Sequence, residues 1–211
     1  MPEHRIMAAL YDRMMAAGEK AGLREMRRGI VGEAGGRTLE LGAGTGLNLD
    51  HYTGAVSELV LTEPDPHMAK RLRRKIGEHP PAPPSVDVVE VGAESLPFED
   101  ASFDTVVATL VFCTIPDAEA AAGEAARVLK PGGRLLFLEH VRAEPGSGTE
   151  RWQDRLDRPW GWMAGGCHPN RNTAALLERS DLHVDRLEHT EMPGHVPPLV
   201  KPVIRGSASA G

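Results

Sequence analysis

The chain alternates short apolar runs with longer stretches in which apolar positions recur every three or four residues. The runs, rich in Val and Leu, lie at Arg37 to Leu41 (RTLEL), Glu58 to Glu63 (ELVLTE), Val86 to Val91 (VDVVEV), Asp104 to Leu110 (DTVVATL) and Arg134 to His140 (RLLFLEH). Each is too short for a stable helix, and helix-length segments separate most of them, which is the pattern of strands buried on both faces of a parallel sheet. Asp117 to Val128 is alanine-rich with spaced charges and predicts a helix, stopped and turned into the next strand by Lys130-Pro131-Gly132-Gly133. His79 to Pro84 (HPPAPP) reads as an exposed linker, and residues 207–211 as a frayed tail. The fold class is therefore α/β, and a length of 211 residues suits a single domain.

At the N-terminus, Ile6, Met7, Leu10, Tyr11, Met14 and Met15 fall at helical spacing. Methionine adapts to varied shapes, so residues 1–30 are read as a helical lid that turns Tyr11 and Met15 toward a substrate pocket. Ordinary core packing is the competing reading.

Composition narrows the partners. Hydrophobic content of 41% and charged content of 26% are those of a globular protein. The formal charge of −6 repels a phosphate backbone, which argues against nucleic acid. Two cysteines, Cys113 and Cys167, make neither a disulfide framework nor a tetrahedral zinc site, so no metal is expected. No window approaches a transmembrane span, and MPEHRIMAALYDRMM carries charge where a signal peptide has its apolar block, so the expected location is the cytoplasm.

The chemistry enters at Leu39-Glu40-Leu41-Gly42-Ala43-Gly44-Thr45-Gly46. Alternating glycines at a strand end let the backbone turn sharply and approach a ligand closely. A dinucleotide fingerprint wants a sixth-position glycine where Leu47 stands, and a Walker loop wants Gly-Lys-Ser/Thr where Gly46-Leu47-Asn48 stands. Glu63, about 20 residues on, ends the second run, where a carboxylate can accept both hydroxyls of a ribose.

These residues resemble the class I S-adenosylmethionine-dependent methyltransferases over about residues 37 to 206: LELGAGTG, TEPDPHM, VGAESLPF, FDTVVATLVF and LKPGGRLLFLEH match five successive motifs. The resemblance implies an open, mostly parallel, seven-stranded Rossmann-like sheet with helices on both faces, and a methyltransferase domain at 31–206. It implies S-adenosyl-L-methionine as cofactor, with Glu40 and the turn Gly42, Ala43, Gly44 and Gly46 at the methionine portion. Glu63 would then hold the ribose, Pro64, Ala93 and Glu94 would meet the adenine, and Thr109 would line the floor. Gly92 stands where many relatives have an aspartate. FLEHVRAEPGSGTERWQDRLDRPWGWMAGGCHPNRNT is similar to the small thiol S-methyltransferases of the methyltransferase-like group, which implies a small lipophilic thiol as acceptor. Quinone methyltransferases carry Arg-Asn where this chain has Cys113-Thr114.

The acceptor side is read as an insertion at about 141–180. Trp152, Trp160 and Trp162 cluster there, and Trp152 and Trp160 are taken as pocket walls beside Tyr11 and Met15. His140, ending the fifth run, is a candidate base, with Asp157 as a second catalytic candidate and His168 as a further one. A thiol is already a few per cent ionised at neutral pH and needs no strong base, which favours sulfur. Methylation of oxygen, nitrogen or carbon on a phenolic, quinone or lipid-like metabolite is the alternative, as is a non-catalytic nucleotide-binding module.

Overall fold

The computed structural model describes residue 13 and residues 15–211. Helix α1 (Arg24–Val31) leads into β1 (Gly36–Leu41), followed by β2 (Val56–Thr62), α2 (Pro66–Glu78), β3 (Val86–Val89), β4 (Phe103–Thr109), α3 (Ala118–Val128) and β5 (Leu129–His140). Helices α4 (Gly148–Met163) and α5 (Thr173–Arg179) come next, and β6 (Leu182–Glu191) and β7 (Pro202–Ala210) complete the sheet. The strand order is β3-β2-β1-β4-β5-β7-β6. Strands β1 to β5 pair in parallel, and β7 runs antiparallel to both β5 and β6.

The order reverses between β1 and β4. In an open α/β sheet the crevice beyond the carboxyl ends of those two strands is where a ligand binds. Strand alternation builds a core on each face: Leu39, Leu41, Phe103 and Phe137 pack with Ala121, Ala122 and Ala125 of α3, while Leu59, Leu61, Val107 and Leu136 pack with Ile30, Val31 and Leu72. Asp65 caps α2, its carboxylate accepting from His67 N at 2.7 Å and Met68 N at 3.1 Å, with Pro66 as first residue.

Three expectations are corrected. The segment from Lys130 to Gly133 is not a turn before the strand; β5 already begins at Leu129 and breaks register between the pairs Phe103 with Leu129 and Thr105 with Arg134. Gly132 at φ +74° carries that bulge. Residues 207–210 are not a frayed tail but pair on both sides, Ser207 with Leu136 and with Arg186, and Ser209 with Arg134 and with His183. Small residues are needed there: a Cβ on Gly206 would lie 1.9 Å from the Arg186 carbonyl oxygen. The lid boundary at residue 30 falls inside α1, and Leu23, Ile30 and Val31 are fully buried, so this segment belongs to the body of the domain. Tyr11 and the rest of residues 1–12 lie outside the described residues. Met15 is half-buried against Leu23, Leu138, Met192 and Val203. Among the described residues no helix is long and apolar enough to cross a membrane.

Candidate active site

The loop after β1 turns through three left-handed glycines, Gly42 and Gly44 at φ +58° and Gly46 at +81°. These are conformations that residues with a Cβ adopt at a cost. Gly42 cannot carry a side chain, because its Cβ would meet Val111 Cγ2 at 2.3 Å. Lys75 of α2 donates to the Gly46 carbonyl at 2.5 Å and ties the turn to the helix.

Beneath the turn lies a buried polar network. Tyr52 Oη donates to Glu40 Oε2 at 2.6 Å, and Asn48 Nδ2 donates to Glu40 Oε1 and to Thr109 Oγ1, both at 2.8 Å. Arg27 of α1 donates from Nη1 to Asn48 Oδ1 at 3.1 Å and to Thr109 Oγ1 at 2.9 Å, and from Nε to Glu19 Oε1 at 2.9 Å. Burial pushes the Glu40 carboxyl up to about 7 against the opposing hydrogen bonds of Tyr52 and Asn48. Arg27, Glu40, Gly42, Ala43, Gly44, Leu47, Asn48 and Thr109 line a cavity of about 20 Å³, room for about one water.

Glu63, just past β2, accepts from Gly44 N at 2.8 Å and from Asp65 N at 2.9 Å, one amide on each oxygen. Each oxygen therefore keeps a lone pair for a further donor. Burial raises its pKa, with the two amides opposing. Pro64 is exposed beside it, and Ala93 is buried. Glu94 is half-buried and folds back over Gly92, where a Cβ would lie 2.6 Å from Glu94 Oε2.

The edge beyond β4 and β5 is organised by two residues that the sequence did not single out. Glu139, fully buried at the end of β5, accepts from the amides of Val111 at 2.9 Å, Phe112 at 3.1 Å and Cys113 at 3.4 Å, and so fixes the loop after β4. Desolvation pushes its carboxyl up to about 7 while the three amides oppose. Gln153, also fully buried, accepts from Ala143 N and donates to the carbonyls of Val141, Pro169 and Leu199, pinning α4 to the loops around it. A buried carboxylate ending the apolar run LLFLE was the legible signal for Glu139; Gln153 had none.

His140 is held down to about 4 by burial, and its Nδ1 is buried without a hydrogen-bond partner. It is neutral at physiological pH and a feeble proton acceptor there. Asp157 binds His168 Nδ1 at 2.9 Å, so its carboxylate is engaged in orienting that ring. Contact with the Cys167 thiol and burial push the Cys113 thiol well above the usual range, which makes it inert. Trp152 is not a pocket wall: it is 56% exposed, with the Arg155 guanidinium 5.9 Å from its ring centroid. Trp162 is more exposed still at 89%. Of the three, Trp160 alone turns inward, half-buried with its Nε1 out of water.

The geometry can be set beside known proteins. Residues 39–137 match a family model described as a methyltransferase domain. Human thiol S-methyltransferase TMT1A is 34% identical over 200 residues, covering 94% of this chain and 81% of that protein. The human TMT1B is 34% identical over 186 residues, covering 86% and 74%. The chain belongs to the class I S-adenosylmethionine-dependent methyltransferases. Within that family it is close to the TMT1 proteins. The [4+2]-cyclase SpnF superposes with a TM-score of 0.70 at 18% identity, covering 90% of this chain and 80% of that one. A cyclase on this architecture shows that the fold alone does not name a reaction.

The residues present fit the methyltransferase cofactor. The glycine turn leaves its backbone unshielded by side chains, Glu63 retains acceptor capacity on both oxygens, and the Arg27 guanidinium and the Glu40 carboxyl line one cavity, where a zwitterionic amino-acid end finds a donor and an acceptor. Glu63→Ala is expected to weaken S-adenosylmethionine binding by about tenfold or more, the worth of one charge-assisted hydrogen bond. Calorimetry checks it, and an unchanged affinity would defeat the ribose assignment.

Proposed function

We propose that this methyltransferase acts on small lipophilic thiols and methylates them at sulfur. The observation that carries the reading is the character of the acceptor edge: His140, at the end of β5, is buried with its Nδ1 unpartnered and is pushed down to about 4, so the site suits a nucleophile that ionises by itself. An alkyl thiol near pKa 8.5 does so, whereas taking its proton onto His140 would run steeply uphill. The similarity to the TMT1 proteins over most of both chains supports the same acceptor class.

When bound, S-adenosylmethionine supplies an electrophilic methyl group on a sulfonium. The chain's part is to hold and dry the reactants. Glu63 and the glycine turn would fix the nucleoside, Glu40 and Thr109 the opposite end, and Pro64, Ala93 and Glu94 the adenine surround. Met15 and Trp160 would offer apolar wall to the acceptor, His140 an uncharged one, and Asp157 would keep the His168 ring oriented. Alignment of nucleophile and methyl supplies much of the rate in such a displacement. The two free thiols, Cys113 and Cys167, suit a reducing compartment, and the cytoplasm is the proposed location.

Turnover of an alkyl thiol is expected to rise with pH toward the thiol's own pKa, and His140→Ala should follow the same curve within a few-fold. A pH-rate series with a matched thiol and phenol tests this. Robust phenol turnover without thiol product would sink the sulfur assignment. A loss of about a hundredfold at neutral pH, recovered at high pH, would return the base role to His140.

A further inference from the structure

Along α4, Arg151, Arg155, Arg158 and Trp162 fall one helical turn after another and form a single row, with Trp152, Pro159 and Met163 in the row beside it. All of these residues are exposed, Trp162 at 89% and Met163 at 57%. Two tryptophans, a methionine and a proline on one side of one helix make a patch, and an apolar patch edged by charge marks an interaction site.

Charge is sorted across the helix as well. The carboxylates of α4 are engaged by neighbouring elements: Glu150 and Asp154 hold Arg142, and Asp157 holds the His168 ring. Its arginines have no such partners. Among the described residues none of Arg151, Arg155 and Arg158 meets a carboxylate; Arg151 donates to the Gly146 carbonyl at 3.3 Å, and Arg155 lies over the Trp152 ring. Elsewhere on the surface Arg73, Arg179, Arg186 and Arg205 each sit on a glutamate. In a chain of net charge −6, this row therefore sets a local positive field beside the tryptophans.

Guanidinium and indole together match the headgroup layer of an anionic bilayer. Arginine pairs with phosphate oxygens two at a time, and an indole rests where acyl chains give way to headgroups, its ring in apolar surroundings and its N–H in wet ones. Trp152 and Trp162 stand about 15 Å apart along the helix axis, so α4 can lie flat on such a surface with an anchor toward either end. The overall negative charge opposes nucleic acid as the partner.

We infer that α4 is a membrane-docking helix: its outer face binds a bilayer surface rich in anionic phospholipid, with Trp152, Trp162 and Met163 entering the headgroup layer and Arg151, Arg155 and Arg158 reaching the phosphates. The inner face of the same helix carries Gln153 and Trp160, so docking brings the edge beyond β4 and β5 toward the phase in which lipophilic molecules dissolve. The docking itself does not depend on the acceptor reading.

The test is sedimentation with vesicles of phosphatidylcholine alone and of phosphatidylcholine mixed with phosphatidylglycerol. The protein should bind the mixed vesicles, release them at high salt and leave the neutral ones unbound. Replacing Arg151, Arg155 and Arg158 together by Gln should weaken binding about a hundredfold, at about fivefold for each charge, and Trp162→Ser should weaken it about tenfold. Removing three exposed charges elsewhere, by Arg24→Gln, Lys70→Gln and Arg74→Gln, should weaken it only a few-fold. Thermal melts and turnover of a water-soluble thiol should stay at wild-type values in every variant, and a wild type that binds vesicles but methylates no thiol loses the acceptor reading alone. No affinity of the wild type for the mixed vesicles, equal losses from the two triple replacements, or binding unmoved by the α4 replacements would each overturn the proposal. So would equal capture by immobilised polyglutamate that Trp162→Ser leaves intact, which would assign the face to an acidic protein.

Discussion

Gly42→Val is expected to remove measurable S-adenosylmethionine binding. At φ +58° a β-branched residue is strained, and its Cβ would be driven into Val111, 2.3 Å away. Overpacking of this kind costs about 1–3 kcal/mol, and relieving it displaces the turn, the Val111 side chain or both. Gly54→Val is the control, because a side chain there meets nothing within 4 Å. Calorimetry with a thermal melt on both variants decides the matter. Wild-type affinity in Gly42→Val would refute the turn as the cofactor cradle.

The second large effect concerns Glu139. Replacing it by Leu strands three backbone amides, those of Val111, Phe112 and Cys113, in a dry interior. At about 1–3 kcal/mol for each unpaired group the loss should reach about 3 kcal/mol or more in urea unfolding. A cost below about 1 kcal/mol would mean that the loop re-pairs elsewhere. The carboxyl also imposes a pH slope. Because its folded pKa, about 7, lies above the unfolded value of 4.5, the folded state keeps a proton that the unfolded state has lost, so stability falls as pH rises through that window. The size is about 3 kcal/mol. Glu139→Gln lacks this contribution, so its deficit relative to wild type should shrink from pH 5 to pH 8. Comparing the two proteins cancels the opposite trend from His140, whose lowered pKa makes stability rise from about pH 4 toward its ordinary value of 6.5. A deficit that stays constant would show that Glu139 ionises normally.

The nucleotide side of the site was legible because its parts are local. A glycine turn and an acidic residue about 20 residues on are fixed by the single passage from β1 to the end of β2, so their spacing survives as sequence. The apolar runs were legible for the same reason, since β1, β2, β4 and β5 are buried on both faces, while β3, at the sheet edge, is only half-buried. What escaped depends on distant pairings. Asn48 meets Thr109 across 61 residues, and Gln153 reaches Leu199 across 46. Arg27 did leave a trace, a cation on the stripe of Leu23, Ile30 and Val31, but only the fold shows which crevice that stripe borders. The tryptophans misled because closeness in sequence is not closeness on a helix. The buried face of α4 runs through Gln153 and Gly161, and Trp152 and Trp162 fall on either side of it. Strands β6 and β7 were missed from their composition: one is an exposed edge full of charge, the other is built of small residues that resemble a loose end.

The position of β7 also governs the order in which the sheet can be assembled. β6 precedes β7 along the chain, yet its place is on the far side of β7, unpaired with β5. A nascent chain that has emerged through Glu191 can dock five strands and still has nowhere to put the sixth. Its N–H and C=O groups stay unmatched until Pro202 to Ala210 slide in beside Arg134 to His140. Closure of this edge is therefore a late, long-range step, the kind that slows folding and leaves a sticky ribbon waiting. Along that waiting ribbon stand Asp185, Arg186, Glu188 and Glu191, charges of the sort that keep an unpaired strand from joining its neighbours in other molecules.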